Sequence, residues 1–231
     1  MGLNVIMLGA PGAGKGTQAD RFARQRGLPR ISTGDILRQG VKDQLPVALV
    51  AKARMDRGEL VDDETMVTIV RERLARPDTD AGFVLDGFPR TVSQARSLDA
   101  IIQERGNGPL VVVDIVVQEE DLVRRLAGRR ICSTCGTNAE PADGAGTTCQ
   151  RCGGTLVHRV DDSEQVVIER LKVYYRTTQP LVDYYLGRPT FRTVDGAQPP
   201  DRVAQALDAT IDAAAGQGAC APVGAQGPAP L

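Results

Sequence analysis

The sequence predicts an α/β fold in which one three-layer core holds a five-stranded parallel sheet with helices on both faces. Two observations predict this class. Short apolar segments recur along the chain, and helix-compatible segments separate them. Such alternation is typical of parallel sheets, because the connecting helices cover both faces. With 231 residues, 42% of them hydrophobic, the chain has enough apolar side chains for one core with small insertions.

The predicted elements of the core follow in order. The first strand is the apolar run 3–8, which ends at glycines, and the helix after it, 15–26, stops at Gly27. A helix begins at Pro46 and runs to about Arg57, because proline fits a first helical turn and Gly58 then ends the segment. The other predicted strands are 28–32, 83–86, 110–117 and 191–195, and the other predicted core helices are 62–75, 91–106 and 119–127.

Two segments interrupt the alternation, and we predict that they are insertions over the core. Residues 33–61 are helical without a strand, and residues 129–159 are rich in Cys, Gly, Thr and Ala. The predicted core therefore comprises 1–32, 62–128 and 160–213. Residues 214–231 carry no charge and consist mainly of Ala, Gly, Pro and Gln, which predicts a disordered tail containing the lone Cys220.

Charge and hydropathy argue against several classes of protein. The formal net charge of −1 argues against a dedicated nucleic-acid binder, since such domains are usually clearly basic. No apolar run approaches the roughly 20 residues needed to cross a bilayer. The N-terminus also lacks the pattern of a signal peptide. We therefore expect a cytoplasmic protein without a membrane partner.

A glycine-rich loop, GAPGAGKGT at residues 9–17, joins the first strand to the first helix. Its glycines allow successive backbone N–H groups to point at phosphate oxygens, and the helix N-terminus adds partial positive charge. Lys15 is placed to reach the β- and γ-phosphates. Gly16 stands where the strict P-loop pattern has Ser or Thr, and Thr17 follows. The loop predicts a P-loop NTPase core, with ATP bound by Gly12, Ala13, Gly14, Lys15, Gly16 and Thr17.

Two C-x-x-C pairs lie thirteen residues apart in the second insertion, Cys132 with Cys135 and Cys149 with Cys152. Four thiolates in two pairs match a closed, tetrahedral structural zinc site, and a reducing cytosol disfavours disulfides. The insertion has few apolar residues, whereas structural zinc contributes an apparent ~10–16 kcal/mol in small peptides. Zinc would therefore hold the shape of this segment. Iron in place of zinc, and redox-active or free thiols, are the alternatives.

Four further motifs complete a recognisable order along the chain. They read STGDILR at 32–38, DGFPR at 86–90, GRR at 128–130 and RVDD at 159–162, and Arg170 follows. With the glycine-rich loop, this order resembles the adenylate kinases among the nucleoside monophosphate kinases, over about residues 3–212. The paired cysteines resemble the zinc-containing branch of that family.

The resemblance implies a phosphotransferase that catalyses the reversible reaction ATP + AMP = 2 ADP with Mg²⁺ and so maintains the adenine nucleotide balance. It implies a monomer whose substrates are ATP, AMP and ADP. It also implies that residues 33–61 bind the monophosphate and that residues 129–159 form a zinc-bound lid over ATP. Phosphoryl transfer requires mainly in-line positioning and neutralisation of charge, which converging arginines and a lysine can supply.

The resemblance further implies roles for individual residues. The catalytic residues would be Lys15, Arg90, Arg125, Arg159 and Arg170. The AMP-binding residues would be Thr33, Arg38, Glu59, Leu60, Val61, Gly87, Phe88, Pro89, Arg90, Gln94, Arg159 and Arg170. Arg129 and Gln198 would join the ATP site. Asp86 would hold Mg²⁺ through water, with Asp35 as a second candidate.

Three other functions fit parts of the sequence. A kinase for another monophosphate, such as UMP, CMP or GMP, would share the P-loop, but within the family the residue type of Thr33 accompanies AMP preference. A zinc ribbon that binds nucleic acid, fused to a regulatory NTPase, would need basic and aromatic side chains that the cysteine-rich segment scarcely has. A nucleotide sensor without activity would not need Lys15 together with all the arginines.

Overall fold

The computed structural model describes residues 2–139 and 146–218, with the side chain of Val160 left out. Its main sheet has five strands, which are β1 (Leu3–Leu8), β2 (Arg30–Ser32), β3 (Gly82–Asp86), β4 (Leu110–Val116) and β7 (Phe191–Asp195). They are parallel and lie in the order β2-β3-β1-β4-β7. The predicted α/β fold with a five-stranded parallel sheet is confirmed.

Helices cover both faces of this sheet and make the three layers. They are α1 (Lys15–Arg26), α2 (Thr33–Lys42), α3 (Pro46–Asp56), α4 (Asp63–Leu74), α5 (Val92–Arg105), α6 (Glu119–Ala127), α7 (Glu164–Val173), α8 (Pro180–Leu186) and α9 (Pro200–Gly218). Helices α1, α6, α7 and α9 bury apolar side chains against one face, and α2, α4, α5 and α8 do so against the other. The interiors of the central strands are buried because both faces are covered.

The second strand is shorter than predicted. It begins at Arg30 instead of residue 28, because the N–H of Leu28 donates to the carbonyl of Ala23 at 2.9 Å and so completes the end of α1. Pro29 has no N–H to contribute to the sheet. The strand that enters the site therefore starts with a charged residue.

The predicted start of a disordered tail at residue 214 is wrong. Helix α9 continues to Gly218, and Ala214 is fully buried against the core. Alanine is a strong helix former and small enough to pack closely, so the lack of charge in this segment reflects burial. Residues 219–231, and with them Cys220, lie outside the described residues.

Two segments stand apart from this alternation. Helices α2 and α3 follow β2 directly and pack against each other before α4 begins. Between α6 and α7, β5 (Arg130–Cys132) and β6 (Leu156–His158) form a separate antiparallel pair. In the part of the chain that the structure covers, no helix combines the length and apolar character needed to cross a membrane.

Gly82 gives a direct test of the sheet geometry. Its φ of +120° is strained for other residues, and an added Cβ would lie 2.2 Å from the carbonyl oxygen of Leu3 in the neighbouring strand. We expect Gly82→Ala to lower the free energy of unfolding by more than about 2 kcal/mol, since backbone of a central strand cannot move aside. Urea denaturation measures the change.

Gly187→Ala is the matched control for this substitution. Gly187 has a φ of −79°, and its added Cβ would meet no atom within 4 Å. The free energy of unfolding of Gly187→Ala should stay within about 0.5 kcal/mol of the wild-type value. Equal stabilities of the two variants would contradict the strand pairing described above.

Candidate active site

The loop after β1 forms an anion-binding nest at the start of α1. Gly12 and Gly14 have φ values of +89° and +94°, and an added Cβ on Gly12 would lie 2.9 Å from the carbonyl oxygen of Leu122. Only glycine fits such a turn without strain. Gly14 caps α1, so the first N–H groups of the helix face the loop. Backbone N–H groups and a helix N-terminus together are suited to bind phosphate.

Lys15 folds over this loop and lies close to several other charged groups. Its Nζ donates to the carbonyl oxygens of Gly9 and Ala10 at 2.6 and 2.9 Å. Burial lowers the pKa of Lys15 to about 8, a shift that Asp86 opposes and that Arg90 and nearby arginines reinforce. The electrostatic influence of these groups shows that the fold brings the P-loop lysine and the arginines into one region.

A cleft opens between α2, the segment after α3 and the turn after β3. Of the residues predicted to bind AMP, those that line it are Thr33, Arg38, Glu59, Leu60, Val61, Gly87, Arg90, Gln94, Arg159 and Arg170. Phe88 and Pro89 do not line it, and the side chain of Phe88 is buried in the core. The residues in the cleft come from α2, the segment after α3, the turn after β3, and the region from β6 to α7, which are far apart in sequence.

Hydrogen bonds fix one wall of this cleft. The hydroxyl of Thr33 and Nε of Arg90 both donate to the carbonyl oxygen of Gly87, at 2.9 and 2.8 Å. Gln94 is buried, accepts from the backbone N–H of Arg90 at 2.8 Å and donates to Asp63 at 2.8 Å. The start of α2, the turn after β3 and the start of α5 are therefore held in one arrangement.

Sequence reasoning missed several residues that line the same cleft. They are Gly34, Leu37, Met55, Gly58, Met66 and Asp161. Leu37 lies one helical turn after Thr33, so helical spacing could have identified it. No spacing in the sequence indicates Met55 or Met66, because they reach the cleft only through the packing of α3 and α4. These apolar side chains give the cleft a wall suited to a flat, apolar ring.

Two adjacent aspartates hold three arginines beside the cleft. Arg129 donates to both carboxylate oxygens of Asp162 at 2.7 and 2.6 Å, and Arg170 donates to the same carboxylate at 2.8 Å. Arg159 makes a two-point pair with Asp161 at 2.9 and 2.5 Å. The Asp162 side chain is only 3% exposed. These fork-shaped pairs hold the guanidinium groups in fixed positions.

Two predicted residues lie away from this arginine cluster. Arg125 donates to the carbonyl oxygen of Gly196 at 2.9 Å, and the amide of Gln198 lies 3.4 Å from a carboxylate oxygen of Asp195. Both thus lie near the turn after β7. A shallow second cavity lies there, lined by the ends of β4 and β7.

Asp86 ends β3 next to the glycine-rich loop. An added Cβ on Gly16 would lie 3.3 Å from Oδ2 of Asp86. The Asp86 side chain is 12% exposed and accepts a hydrogen bond from Arg30 Nη2 at 2.7 Å, a residue that sequence reasoning missed. Mg²⁺ prefers oxygen ligands. Proteins usually hold this ion through one or two carboxylates together with phosphates of the substrate. The position and chemistry of Asp86 therefore fit a magnesium ion at the P-loop.

The four predicted cysteine ligands converge. Their Sγ atoms all lie within 4.8 Å of one another, with 3.4 Å between Cys132 and Cys152 and 3.8 Å between Cys135 and Cys149. A tetrahedral zinc site with bonds of about 2.3 Å has sulfur atoms about 3.8 Å apart. Gly136 and Gly153 turn the backbone after each pair with φ values of +71° and +72°. This cluster could hold a metal ion.

Comparison with known proteins gives a consistent result. The family model described as adenylate kinase matches residues 7–189. The adenylate kinase of Archaeoglobus fulgidus is 44% identical over 91% of this chain and 98% of its own length. Those of Brevibacillus brevis and Bacillus subtilis are 48% and 45% identical, each over 85% of this chain and over 93% and 92% of their own lengths.

The aspartate pair predicts an acid-sensitive contribution to stability. Burial raises the pKa of Asp161, but the charge of Arg159 and its hydrogen bonds outweigh this and lower it to about 2 from an ordinary 3.8. A lowered folded-state pKa stabilises the fold above the unfolded-state value, and the contribution is lost as the pH falls from about 4 to about 2. It amounts to about 2 kcal/mol.

Urea denaturation at a series of pH values tests this contribution. Between about pH 4 and pH 2, Asp161→Asn should lose less stability than the wild type. Asp80→Asn, at a side chain that is 78% exposed, should reproduce the wild-type profile. Identical acid profiles for Asp161→Asn and the wild type would show that Asp161 makes no such contribution.

Proposed function

The chain belongs to the adenylate kinase family, and we propose how its residues carry out the reversible reaction ATP + AMP = 2 ADP. It is a phosphotransferase of the nucleoside monophosphate kinase type, and its substrates are ATP, AMP and ADP. The observation that carries the residue assignment is that Arg90 and Arg170, which line the cleft, lie close enough to the P-loop lysine Lys15 to lower its pKa further. The roles of individual residues below are our proposal.

ATP binds at the glycine-rich loop in this proposal. Backbone N–H groups of Gly12 to Thr17 surround its phosphates, and the N-terminus of α1 favours their negative charge. Lys15 exchanges its contacts with the carbonyls of Gly9 and Ala10 for the β- and γ-phosphates. Arg129, Arg125 and Gln198 complete the ATP site. Because Arg125 lies with Gln198 near the turn after β7, we assign it to the ATP nucleoside and not to the catalytic set that the resemblance implies.

AMP occupies the cleft between α2, α3 and the turn after β3. Arg38, Arg90, Arg159 and Arg170 bind its phosphate, and Thr33 and Gln94 line the remainder together with the backbone of 59–61 and of Gly87. The apolar wall formed by Leu37, Met55 and Met66 packs against the base. This arrangement directs the AMP phosphate toward the loop that holds ATP.

The transfer step then needs no covalent intermediate on the protein. A phosphate oxygen of AMP attacks the γ-phosphorus, the bond from that phosphorus to the β-phosphate oxygen breaks, and two ADP molecules result. Lys15, Arg90, Arg159 and Arg170 neutralise the charge that spreads over the moving oxygens. When bound, Mg²⁺ would neutralise further phosphate charge, and Asp86 would hold it through water.

We assign the two segments outside the alternation to the two substrates. Residues 33–61 form the AMP-binding insertion, 129–159 form a lid over ATP, and the core comprises 1–32, 62–128 and the chain from 160. Contacts of the lid support this: Lys42 Nζ lies 3.4 Å from the carbonyl oxygen of Ser133, and Arg151 lies 3.9 Å from Asp20 of α1. Closure of both segments would exclude water from the γ-phosphate.

We also propose that the cysteine cluster holds structural zinc and that the protein is a cytoplasmic monomer. The small apolar group around the cluster, Cys132, Cys149 and Leu156 with Ala139, is too small to order the lid by itself. The four free thiols suit a reducing compartment.

An assay of ADP formation from ATP and AMP tests the proposed roles. Lys15→Ala should lower kcat by about 10²- to 10³-fold, the usual cost of removing one preorganised electrostatic group. Lys172→Ala removes a lysine that is 67% exposed on α7 and should leave the rate unchanged.

The same assay tests the choice of acceptor. CMP, UMP, GMP and dTMP in place of AMP should each give rates at least tenfold lower. Phosphorylation of any of these four monophosphates faster than that of AMP would be incompatible with the proposal, as would full activity of Lys15→Ala.

Gly154 provides a specific test of the zinc site. An added Cβ there would lie 2.8 Å from Cys132 Sγ and 2.5 Å from the hydroxyl of Thr134. We expect Gly154→Ala to weaken zinc binding at least about tenfold, as changes around metal ligands do. Competition with a chromophoric chelator measures the affinity.

Two further measurements accompany this test. Gly216→Ala places the same methyl group in open space and should bind zinc like the wild type. Elemental analysis of the wild type should give one zinc per chain, and its removal should lower Tm. A Tm that does not respond to chelation would refute a structural role for the metal.

A further inference from the structure

Four charged side chains form an unbroken series between the cleft and the P-loop. Arg38 pairs with Asp35. Asp35 also lies 3.1 Å from Nη1 of Arg30, and Nη2 of Arg30 lies 2.7 Å from Asp86. Positive and negative groups alternate along the series, so each of the two central residues is shared between two partners of opposite charge.

The two ends of the series face the two substrate sites. Arg38 lines the cleft assigned to AMP. At the other end, an added Cβ on Gly16 of the P-loop would lie 3.3 Å from Asp86 and 3.4 Å from Arg30. The Arg30–Asp86 pair therefore lies against the loop that would hold the ATP phosphates. A change in the contacts of Arg38 can therefore affect Asp86 through direct contacts alone.

Partial burial strengthens the attraction between the charged side chains of this series. The side chains of Arg30 and Asp86 are 24% and 12% exposed, so their attraction is screened less than that of a surface pair. Burial raises the pKa of Asp35, but Arg38 and Arg30 outweigh this and lower it, so its carboxylate stays charged. Asp35 will therefore hold Arg30 more strongly whenever Arg38 turns away.

We propose that Arg30 is a positioning residue that couples AMP binding to divalent-cation binding at Asp86. This inference rests on the proposed function. When Arg38 turns to the AMP phosphate, Asp35 loses one cation and draws Arg30 toward itself. Arg30 then releases Asp86, whose carboxylate becomes available to the water shell of the cation. Before AMP binds, Arg30 competes with the cation for Asp86 and keeps its affinity low. By linkage, the cation strengthens AMP binding by the same factor.

Cation binding can be measured without turnover. Mn²⁺ is titrated into the protein with a non-hydrolysable ATP analogue, with and without AMP, and free Mn²⁺ is followed by electron paramagnetic resonance. In the wild type, AMP should tighten Mn²⁺ binding by about fivefold, at the lower end of typical coupling between sites.

Two substitutions of Arg30 separate competition from coupling. Arg30→Gln removes the competing charge, so Mn²⁺ should bind tightly with or without AMP. Arg30→Lys keeps a charge that can hold Asp86, but a lysine cannot span two carboxylates as the guanidinium fork does. Its Mn²⁺ affinity should therefore stay weak in both conditions. Arg21→Gln, at an exposed ion pair with Asp201, should behave like the wild type.

The outcomes distinguish this inference from the proposed function. ADP formation by the same wild-type sample tests the function independently, and thermal unfolding confirms that each variant is folded. The inference is overturned if AMP leaves the wild-type Mn²⁺ affinity unchanged, if Arg30→Gln keeps the AMP dependence, or if Arg30→Gln binds Mn²⁺ more weakly than the wild type. AMP dependence retained by folded Arg30→Lys overturns it equally.

Discussion

The mutual repulsion of the cations around the P-loop is the constraint on which the rest of the site depends. Burial lowers the pKa of Lys15 to about 8, Asp86 opposes this shift, and the charges of Arg90, Arg170 and Arg129 lower the pKa further. Such a cluster is stable only if anions offset it. Asp161 and Asp162 do so for three arginines. A nucleotide phosphate offers the same charge and the same bidentate geometry, so the contacts that stabilise the protein are of the kind a substrate can replace.

The parallel sheet makes this concentration of charge possible. Carboxyl ends of parallel strands meet at one edge, and there β1 leads into the P-loop while β3 ends at Asp86. The interiors of these strands are buried, so the polar groups that can meet a substrate lie at the strand ends. The segment 129–159 meets a different requirement, since its described residues form almost no core of their own. Four sulfur atoms within 4.8 Å of one another can supply through a metal ion the order that apolar packing does not.

Much of the fold could be predicted because local rules decide it. Proline at the start of α3, glycine after α1 and the alternation of apolar and helical segments fixed the elements to within a few residues. Errors arose where tertiary packing overrides composition. The stretch after Ala213 lacks charge and suggested disorder, yet it forms the end of α9 because Ala214 packs into the core. The sequence pattern places Leu28 in a strand, but its N–H completes the preceding helix.

Sequence by itself determined the chemistry of this protein, because motifs such as the glycine-rich loop and the paired cysteines carry their function in the spacing of adjacent residues. Tertiary structure alone decided which charges meet. Arg30 gave no sign in the sequence of its contact with Asp86, 56 residues away, and nothing in the spacing of Met55 and Met66 placed both in one cleft. Coulombic and packing interactions depend on distance in space, and only the folded chain sets that distance.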